Sequence, residues 1–261
     1  MSNPSVAFDR AADYYDRTRG FPPGVEQDVA SLIARAGGLN PSSRVLEIGI
    51  GTGRIALPVA SHVRAYYGID LARPMLDKLR AKQTTEAVNP VHGDATRLPF
   101  AAATFDAVIA VHVFHLIPGW RDVLAEVVRV LRPGAPLLHG WNGRLLIDDL
   151  QKVWNDATHE IREVQGAVPH DWRELFLSDN GWRELGAVAE QRFSIQRTPQ
   201  DFYHSMEQRY FSGTWRMTDE QMERGLSAVR AYIAAHYPDP TQPLTLEGGF
   251  SVQAYLPPAG A

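Results

Sequence analysis

The chain has 261 residues, of which 44% are hydrophobic, so it can build a substantial core as one α/β domain or as a core with a small insertion. Its formal net charge of −4 argues against general binding of nucleic-acid phosphates, and the lack of cysteine excludes disulfides, thiolate metal sites and a cysteine nucleophile. Since neither a secretory signal nor an apolar run of the ~20 residues that a membrane helix needs is visible, we expect a cytoplasmic protein without membrane insertion.

The first predicted elements are a helix and a buried strand. Apolar side chains recur at helical spacing over residues 24–36, and Gly37 and Gly38 end that pattern. The run 45–48 is apolar apart from Glu47, as is typical of a strand in a parallel sheet.

A glycine-rich turn follows this strand. Gly49, Gly51 and Gly53 stand at alternate positions, and residues 55–60 predict the helix that opens after the turn. Strand, glycine turn and helix in this order can hold a nucleotide-like cofactor at the carboxyl edge of a sheet. A dinucleotide fingerprint requires its third glycine at the position of Arg54, and a phosphate-binding loop requires Gly-Lys-Ser/Thr, so both readings lose support.

A second strand, predicted over residues 64–70, ends in an acid. Asp70 follows Gly49 by 21 residues, close to the spacing of about 20 at which an acid binds ribose hydroxyls. A carboxylate suits this task because it can accept from two neighbouring hydroxyls. The alternative is a helix N-cap, since a helical pattern begins at Leu71, and the two interpretations are compatible.

A third acid lies in the segment 91–100, where Asp94 is followed by Ala95. A carboxylate is a suitable acceptor for an exocyclic amine, and a backbone amide can serve a ring nitrogen. Asp94 is equally compatible with an ordinary turn or cap residue.

The next elements are a strand, an amphipathic helix and another strand. Residues 105–111 are apolar apart from Asp106 and predict a buried strand, and residues 120–131 repeat apolar positions at helical spacing. Arg132-Pro-Gly134 ends the helix, and a further strand begins at Leu137.

These four segments, in this order across residues 45–141, resemble the sequence motifs of the class I S-adenosylmethionine-dependent methyltransferases. The string E-x-G-x-G-x-G from Glu47 resembles motif I of that family, and the segments GDA…LPF, FD and RVLRPGAPLL resemble its later motifs. The resemblance implies an α/β fold: a Rossmann-like, seven-stranded, mostly parallel sheet with helices on both faces and a helical cover. It also implies S-adenosylmethionine as the cofactor and a small-molecule methyl acceptor.

The resemblance assigns roles to individual residues at the predicted cofactor site. Glu47 is expected to hold the geometry of the loop near the methionine amino group. Asp70 is expected to bind the ribose and Asp94 the adenine amino group, with the amide of Ala95 on a ring nitrogen. The loop itself is expected to be shaped by Gly49, Gly51 and Gly53.

The whole chain, 1–261, is predicted to form one methyltransferase domain. Its core is expected over about 25–141, 185–198 and 244–257, with a helical cover from about 1–24, 142–184 and 199–243. Within these ranges the patterns predict helices over 142–186 and 199–237, a sixth strand over 185–197, and a last strand over 250–256 that pairs as a hairpin edge.

Residues 7–17 resemble the opening of small-molecule methyltransferases of the ubiquinone and menaquinone biosynthesis group, the methyltransferase type 11 domain. The resemblance implies that this segment folds over the cofactor, with Tyr14 and Tyr15 as lid residues and Arg17 or Arg19 near the methionine carboxylate. A solvated, partly ordered helix is the alternative.

Two histidines follow the fourth strand and are the candidate catalytic residues. His115 and His112 leave the strand where the reacting methyl group is expected, so either is a candidate proton acceptor or substrate contact, although His112 could equally line the cofactor pocket. His139 and Trp141 are predicted to leave the end of strand five. Trp141, Trp154 and Trp172 are candidates for an aromatic pocket wall, with core packing as the alternative.

No bound metal and no nucleic-acid partner is expected, and the sequence does not determine the acceptor or the oligomeric state. Three other functions stay open. They are a non-catalytic S-adenosylmethionine-binding regulator, an aminopropyltransferase-like enzyme on the same fold and, more distantly, an NAD-dependent oxidoreductase.

Overall fold

The structure is a computed structural model that describes residues 8–143, 145–158, 177 and 180–258. Its main feature is a seven-stranded sheet in the order β3-β2-β1-β4-β5-β7-β6. The strands are β1 (Arg44–Ile48), β2 (Ala65–Asp70), β3 (Val88–His92), β4 (Ala107–Val111), β5 (Leu137–Asn142), β6 (Arg183–Arg197) and β7 (Leu244–Leu256).

The first five strands are parallel, and β7 runs antiparallel to β5. β1 lies between β2 and β4, with Ile48 beside Ile69 on one side and beside Ala110 on the other. All five residues of β4 are buried, which explains why this strand reads as an uninterrupted apolar run. The prediction of an α/β fold with a seven-stranded, mostly parallel sheet is confirmed.

The described α-helices agree with the apolar periodicity of the sequence. Those before β6 are α1 (Tyr15–Arg19), α2 (Val25–Ala36), α3 (Ala56–Val59), α4 (Arg73–Lys82), α5 (Trp120–Val130) and α6 (Asp148–Thr158). Two more, α7 (Pro199–Glu207) and α8 (Asp219–His236), separate β6 from β7. Short 3₁₀ turns lie at Asp9–Ala11, Ala60–His62, Phe114–Leu116 and Ser212–Thr214.

The chain divides into two compact units. The first comprises residues 1–142, 167–191 and 250–261, and the second comprises 143–166 and 192–249. The first unit has a core between the sheet and α5, in which Phe105, Val123, Val127 and Leu137 are fully buried. A single domain over 1–261, with its core and cover, stays a prediction.

The second unit has its own apolar core, formed by α6, α7 and α8. Trp154 lies in this core with Phe202, Met206 and Val229, so it packs against helices of its own unit. Gly225 permits the approach of α6 and α8, since an added Cβ would lie 2.8 Å from the Trp154 ring.

The region predicted to be helical over 199–237 contains two α-helices, and residues 208–218 between them depart from that prediction. Thr198 and Thr218 each begin a helix with a capping box, in which the threonine hydroxyl accepts from the backbone amide three residues later. Arg209, which lies between the two helices, has a φ of 52°, a value that an α-helix cannot contain. Capping residues inside an apolar pattern therefore mark the interruption that periodicity alone does not.

Three strands are longer than predicted. β5 continues to Asn142, β6 begins at Arg183 and β7 begins at Leu244. The helical prediction over 142–186 is therefore wrong at both ends of the range, because Asn142 and residues 183–186 are in strands. Trp172 and the predicted breaks at Gly166 and Pro169 lie outside the described residues. β7 and β6 end the sheet together, with β6 outermost.

Candidate functional site

The glycine loop joins β1 to α3, and its three glycines have different tasks. Gly49, Gly51 and Gly53 all have positive φ, of 72°, 54° and 80°. A Cβ on Gly49 would lie 2.6 Å from Val113 Cγ2, and a Cβ on Gly53 would lie 3.0 Å from Leu79 Cγ. At Gly51 the nearest atom would be Met75 Cε at 3.5 Å, an ordinary contact. Packing therefore requires glycine at the outer two positions, whereas at Gly51 it is the positive φ that favours glycine.

Asp70, at the end of β2, is joined to this loop through its carboxylate. Its Oδ2 accepts from the Gly51 amide at 2.8 Å, and its Oδ1 accepts from the Ala72 amide at 2.8 Å. Each oxygen keeps a further lone pair, so the carboxylate is fixed and can still accept from hydroxyls. Burial raises the pKa of Asp70, and these amide donors oppose that shift.

The N-cap interpretation of Asp70 needs a correction. Helix α4 begins at Arg73, and its N-cap residue is Ala72, which makes no side-chain cap bond. Asp70 binds the amide of that N-cap residue from two positions earlier, as an Asx turn does.

Asp94 lies on the exposed turn after β3, one strand further along the same edge. Its Oδ1 accepts from the Thr96 amide at 2.9 Å, so the turn interpretation describes one of its two oxygens. The Gly93 amide donates to the Asp70 carbonyl at 3.0 Å, which ties this turn to the end of β2. Ala95 is buried beside it.

Glu47 is buried inside β1, and its carboxylate is occupied within the protein. The Tyr66 hydroxyl donates to Glu47 Oε2 at 2.9 Å, and Glu47 is only 2% exposed. Burial raises the pKa of Glu47 to about 8, although the Tyr66 hydrogen bond and the charge of Arg54 act in the opposite direction. The described contact of Glu47 is thus with Tyr66, and its predicted place near a methionine amino group stays a prediction.

The segment 8–19 lies against the glycine loop and α4. Thr52 donates its hydroxyl proton to Asp16 Oδ1 at 2.5 Å, and Lys82 binds Asp16 Oδ2 at 2.7 Å. Tyr15 packs with Phe8 against an apolar cluster that includes Ala72 and Met75, the residue nearest Gly51. This segment therefore lies close to Thr52 and Gly51 of the loop. The roles of Tyr14 and Tyr15 as lid residues stay predictions.

Arg54 extends from the loop toward the ends of β4 and β5. Its Nη1 donates to the Arg19 carbonyl and to Asn142 Oδ1, both at 3.2 Å. Its guanidinium carbon lies 4.6 Å from the centroid of the Phe21 ring. Burial lowers the pKa of Arg19, and the nearby charge of Arg54 lowers it further. Two guanidinium groups therefore share this edge.

His112 joins the ends of β4 and β5. The Asn142 amide donates to His112 Nε2 at 2.7 Å, and His112 has a positive φ of 51°. Burial lowers the pKa of His112 to about 3, with Arg54 acting in the same direction. Because Nε2 already accepts a hydrogen bond and a pKa of about 3 makes the imidazole a weak proton acceptor, His112 is disfavoured as a general base.

His115 lies on the 3₁₀ turn after β4 and is exposed. His139 and Trp141 do not follow β5 but lie within it, on one face, with ring centroids 5.5 Å apart. This corrects the prediction that they leave the strand. His139 is buried, and its ring also lies 5.8 Å from that of Phe114.

Sequence reasoning missed four residues of this site: Asp16, Arg54, Tyr66 and Asn142. Only one carried a usable signal, since a glutamate inside an apolar strand requires a buried partner such as Tyr66. The contacts of Asp16 and Asn142 join residues 36 and 88 positions apart, and no local pattern reveals them.

Across the described ranges, no cluster of three or more histidine and acidic residues could hold a metal ion. Within the same part of the chain, no helix has the length and apolar character needed to cross a bilayer. The cytoplasmic location stays a prediction.

The chain is similar to known methyltransferases in the part that forms this site. Residues 46–138 match the family model described as methyltransferase domain. Over 98 residues the chain is 41% identical to phthiotriol/phenolphthiotriol dimycocerosates methyltransferase 1 of Mycobacterium ulcerans, covering 37% of this chain and 36% of that protein. It is 38% identical over 99 residues to phosphatidylethanolamine N-methyltransferase of Cereibacter sphaeroides, covering 36% and 48%.

A third relative, the fatty-acid O-methyltransferase of Mycolicibacterium smegmatis, is 41% identical over 98 residues, covering 37% of this chain and 36% of that protein. The chain thus spans between a third and a half of the length of these curated relatives.

Solved structures share the fold over most of the chain. The Haemonchus contortus phosphoethanolamine N-methyltransferase 2, in complex with phosphomonomethylethanolamine and S-adenosylhomocysteine, has a TM-score of 0.54 at 18% identity and covers 96% of this chain and 57% of its own. The [4+2]-cyclase SpnF has a TM-score of 0.53 at 19% identity, covering 90% and 81%. At this level of identity the likeness shows the fold alone, and the fold does not fix the reaction.

Proposed function

We propose that this chain, whose residues 46–138 match the methyltransferase-domain model, is a class I methyltransferase that transfers a methyl group from S-adenosylmethionine to a small-molecule acceptor. The observation that carries the proposal is the bond between Asp70 and the glycine loop. A carboxylate held by two backbone amides, beside a glycine where an added Cβ would make only an ordinary contact at 3.5 Å, suits the ribose of a nucleoside.

The residues present fit this cofactor. Gly51 accepts a close ligand, Asp70 offers lone pairs to two hydroxyls, and the turn at Asp94 and Ala95 lies next along the same edge of the sheet. The loop contains no lysine or arginine before Arg54, so it lacks the phosphate-binding side chain of a phosphate-binding loop. A nucleoside without phosphate suits the loop better than a dinucleotide does.

When bound, S-adenosylmethionine supplies a methyl group on a positively charged sulfur. The chain's own residues have three tasks there: they hold the nucleoside, orient the acceptor and limit the access of water. Positioning and desolvation can account for much of the rate of such a displacement. Arg19 is our candidate for the methionine carboxylate, and Tyr15 for the closure of the segment 8–19 over the ribose.

A proton acceptor is needed only where the nucleophile reacts in its protonated form. His115, on the exposed turn after β4, is our candidate for that role. His112 is better suited to hold the end of β5, because its Nε2 accepts from Asn142 and its pKa is lowered to about 3.

The acceptor is proposed to be a small molecule, in line with the relatives, which include a phosphatidylethanolamine and a fatty-acid methyltransferase. These relatives include both an N- and an O-methyltransferase, so they do not select the nucleophilic element.

The proposal is tested by measuring S-adenosylhomocysteine release with a panel of fatty acids, phenols, amines and thiols. We expect release with at least one acceptor class, and loss of that release in Asp70→Ala. Tight binding of S-adenosylmethionine without release from any acceptor would favour a non-catalytic binder. Activity only with decarboxylated S-adenosylmethionine and a polyamine, or binding of NADH instead, would favour the other two alternatives.

A further inference from the structure

The half-buried guanidinium of Arg54 makes all of its described contacts with uncharged groups. They are the Arg19 carbonyl, the Asn142 carboxamide oxygen and the face of Phe21. Among the residues that the structure describes, no carboxylate forms an ion pair with it. These contacts orient the guanidinium plane and engage Nη1, and none of those given by the described ranges pairs the positive charge with a carboxylate.

The surroundings of Arg54 add positive charge and remove negative charge. Arg19 lies close enough to interact electrostatically with it. The carboxyl of Glu47, which interacts electrostatically with Arg54, has its pKa raised to about 8 by burial, and burial lowers the pKa of His112 to about 3. A half-buried charge in such surroundings is stabilised by an anion that arrives with a ligand.

The position of Arg54 in the sheet indicates which ligand this is. Asp70 and Asp94 lie at the ends of β2 and β3, on one side of β1. Arg54 points to the other side, where it meets Asn142 at the end of β5, close to His112 after β4. The residues assigned to the nucleoside and the contacts of Arg54 thus lie on opposite sides of β1.

We propose that Arg54 binds a negatively charged oxygen of the methyl acceptor, so that the acceptor is an oxygen acid, such as a carboxylic acid or an acidic phenol, and not an amine. This inference rests on the proposed function and narrows its acceptor class. The deprotonated oxygen forms the new O–CH₃ bond while the S–CH₃ bond breaks and its electron pair stays on sulfur. The products are an ester or ether and S-adenosylhomocysteine, and no proton has to be removed.

Asn142 and His112 are positioning residues in this arrangement. The Asn142 side chain directs Nη1 of Arg54, and His112 holds the Asn142 backbone through its amide. Because the amide side chain is uncharged, it orients the guanidinium without neutralising it. An aspartate at this position would keep the shape and the acceptor oxygen but would supply the negative charge that we assign to the ligand.

The experiment measures binding to the complex of the full chain with S-adenosylhomocysteine by calorimetry. The probes are octanoate, octylamine and octanamide, and benzoate, benzylamine and benzamide, each set sharing one carbon skeleton. We expect wild type to bind at least one acid tenfold or more tightly than the matched amine and amide. Arg54→Met should remove this preference, and Arg80→Met, which changes an exposed arginine of α4, should retain it.

The decisive comparison is Asn142→Asp against Asn142→Ala. If Asn142 acts only by supporting Arg54 structurally, the alanine variant is the more damaging, because aspartate still accepts from Nη1. If the charge of Arg54 has to stay available, Asn142→Asp loses the acid preference as fully as Arg54→Met does, and Asn142→Ala retains part of it. Melting temperatures of all variants show whether they are folded.

Three results would overturn the proposal: wild type binding the amine as well as the acid or binding neither acid, Asn142→Asp retaining the preference, or Arg54→Met weakening S-adenosylhomocysteine itself by tenfold. The last result would assign the guanidinium to the cofactor. Failure of wild type to bind S-adenosylhomocysteine at all would instead refute the proposed function.

Discussion

The site has two parts, one at the carboxyl ends of β1 and β2 and the other at the carboxyl ends of β4 and β5, and the two parts are built in different ways. At the first, backbone amides of Gly51 and Ala72 fix one carboxylate, Asp70, and all three residues lie within a short stretch of chain. At the second, the side chains of Arg54, His112 and Asn142 meet from three distant positions. Backbone geometry therefore sets the proposed nucleoside site, whereas side-chain identity sets the proposed acceptor site.

This difference predicts that ligand binding at the proposed nucleoside site depends mainly on backbone conformation. Binding at the proposed acceptor site should depend mainly on the charge of the side chains. The predictions below test that contrast, beginning with the largest expected effect.

The largest loss of stability is expected from Gly49→Ala. Its Cβ would combine a φ of 72° with a 2.6 Å contact to Val113, so we expect a loss of about 3 kcal/mol in the free energy of unfolding. Gly134→Ala is the matched control, because φ is 79° there and no atom lies within 4 Å, and it should cost about 1 kcal/mol. Denaturant unfolding measures both. Equal losses would show that packing against Val113 contributes nothing.

Glu47→Gln should change how stability depends on pH. The unfolded glutamate ionises near 4.5, whereas the folded one, with its pKa raised to about 8, keeps its proton, so wild type loses stability as pH rises between these values. The glutamine variant lacks this loss. We expect its stability relative to wild type to increase by about 1.4 kcal/mol per pH unit between pH 5 and 8. A difference that does not change with pH would contradict the burial of a protonated carboxyl.

Asp70→Asn is expected to weaken S-adenosylhomocysteine binding about 10- to 100-fold, because one amide group cannot accept from both backbone donors and from the ribose as well. Calorimetry measures the affinity. Asp94→Asn, at an exposed turn, should weaken binding only about threefold, since a charge-assisted hydrogen bond in water contributes less. A larger loss of affinity in Asp94→Asn than in Asp70→Asn would show that Asp94, and not Asp70, contributes more to cofactor binding.

The smallest effect is expected from Asp16→Asn. The change weakens the bonds to Thr52 and Lys82, which hold the segment 8–19 on the loop, and should reduce S-adenosylhomocysteine affinity about threefold. Asp13→Asn, which removes only an exposed ion pair to Lys78, should leave the affinity unchanged. Identical affinities of the two variants for S-adenosylhomocysteine would show that the segment 8–19 does not contribute to cofactor binding.

The same contrast explains how much of the molecule could be predicted. The strand–loop–helix unit around Gly49 and the acid at Asp70 follow from local patterns and from spacing, because both are set by backbone geometry over about twenty residues. The α/β fold and its seven strands followed from the order of such motifs. The ends of β5, β6 and β7 could not be predicted in this way, because the length of a strand depends on its pairing with strands that are distant in sequence.

The acceptor edge could not be predicted, for the same physical reason. His112 was chosen for its position after a strand, but its protonation is decided by burial and by Arg54 and Asn142, which are remote in sequence. Arg54 entered the sequence argument only as the residue that broke a dinucleotide pattern. Its contact with Asn142 joins residues 88 positions apart and became visible only in the structure.

The most direct test of the central claim is calorimetric titration of the full chain with S-adenosylhomocysteine, with NADH titrated in parallel. We expect one S-adenosylhomocysteine to bind per chain with micromolar or tighter affinity, and NADH not to bind. Absence of S-adenosylhomocysteine binding by the folded wild-type chain would contradict this claim.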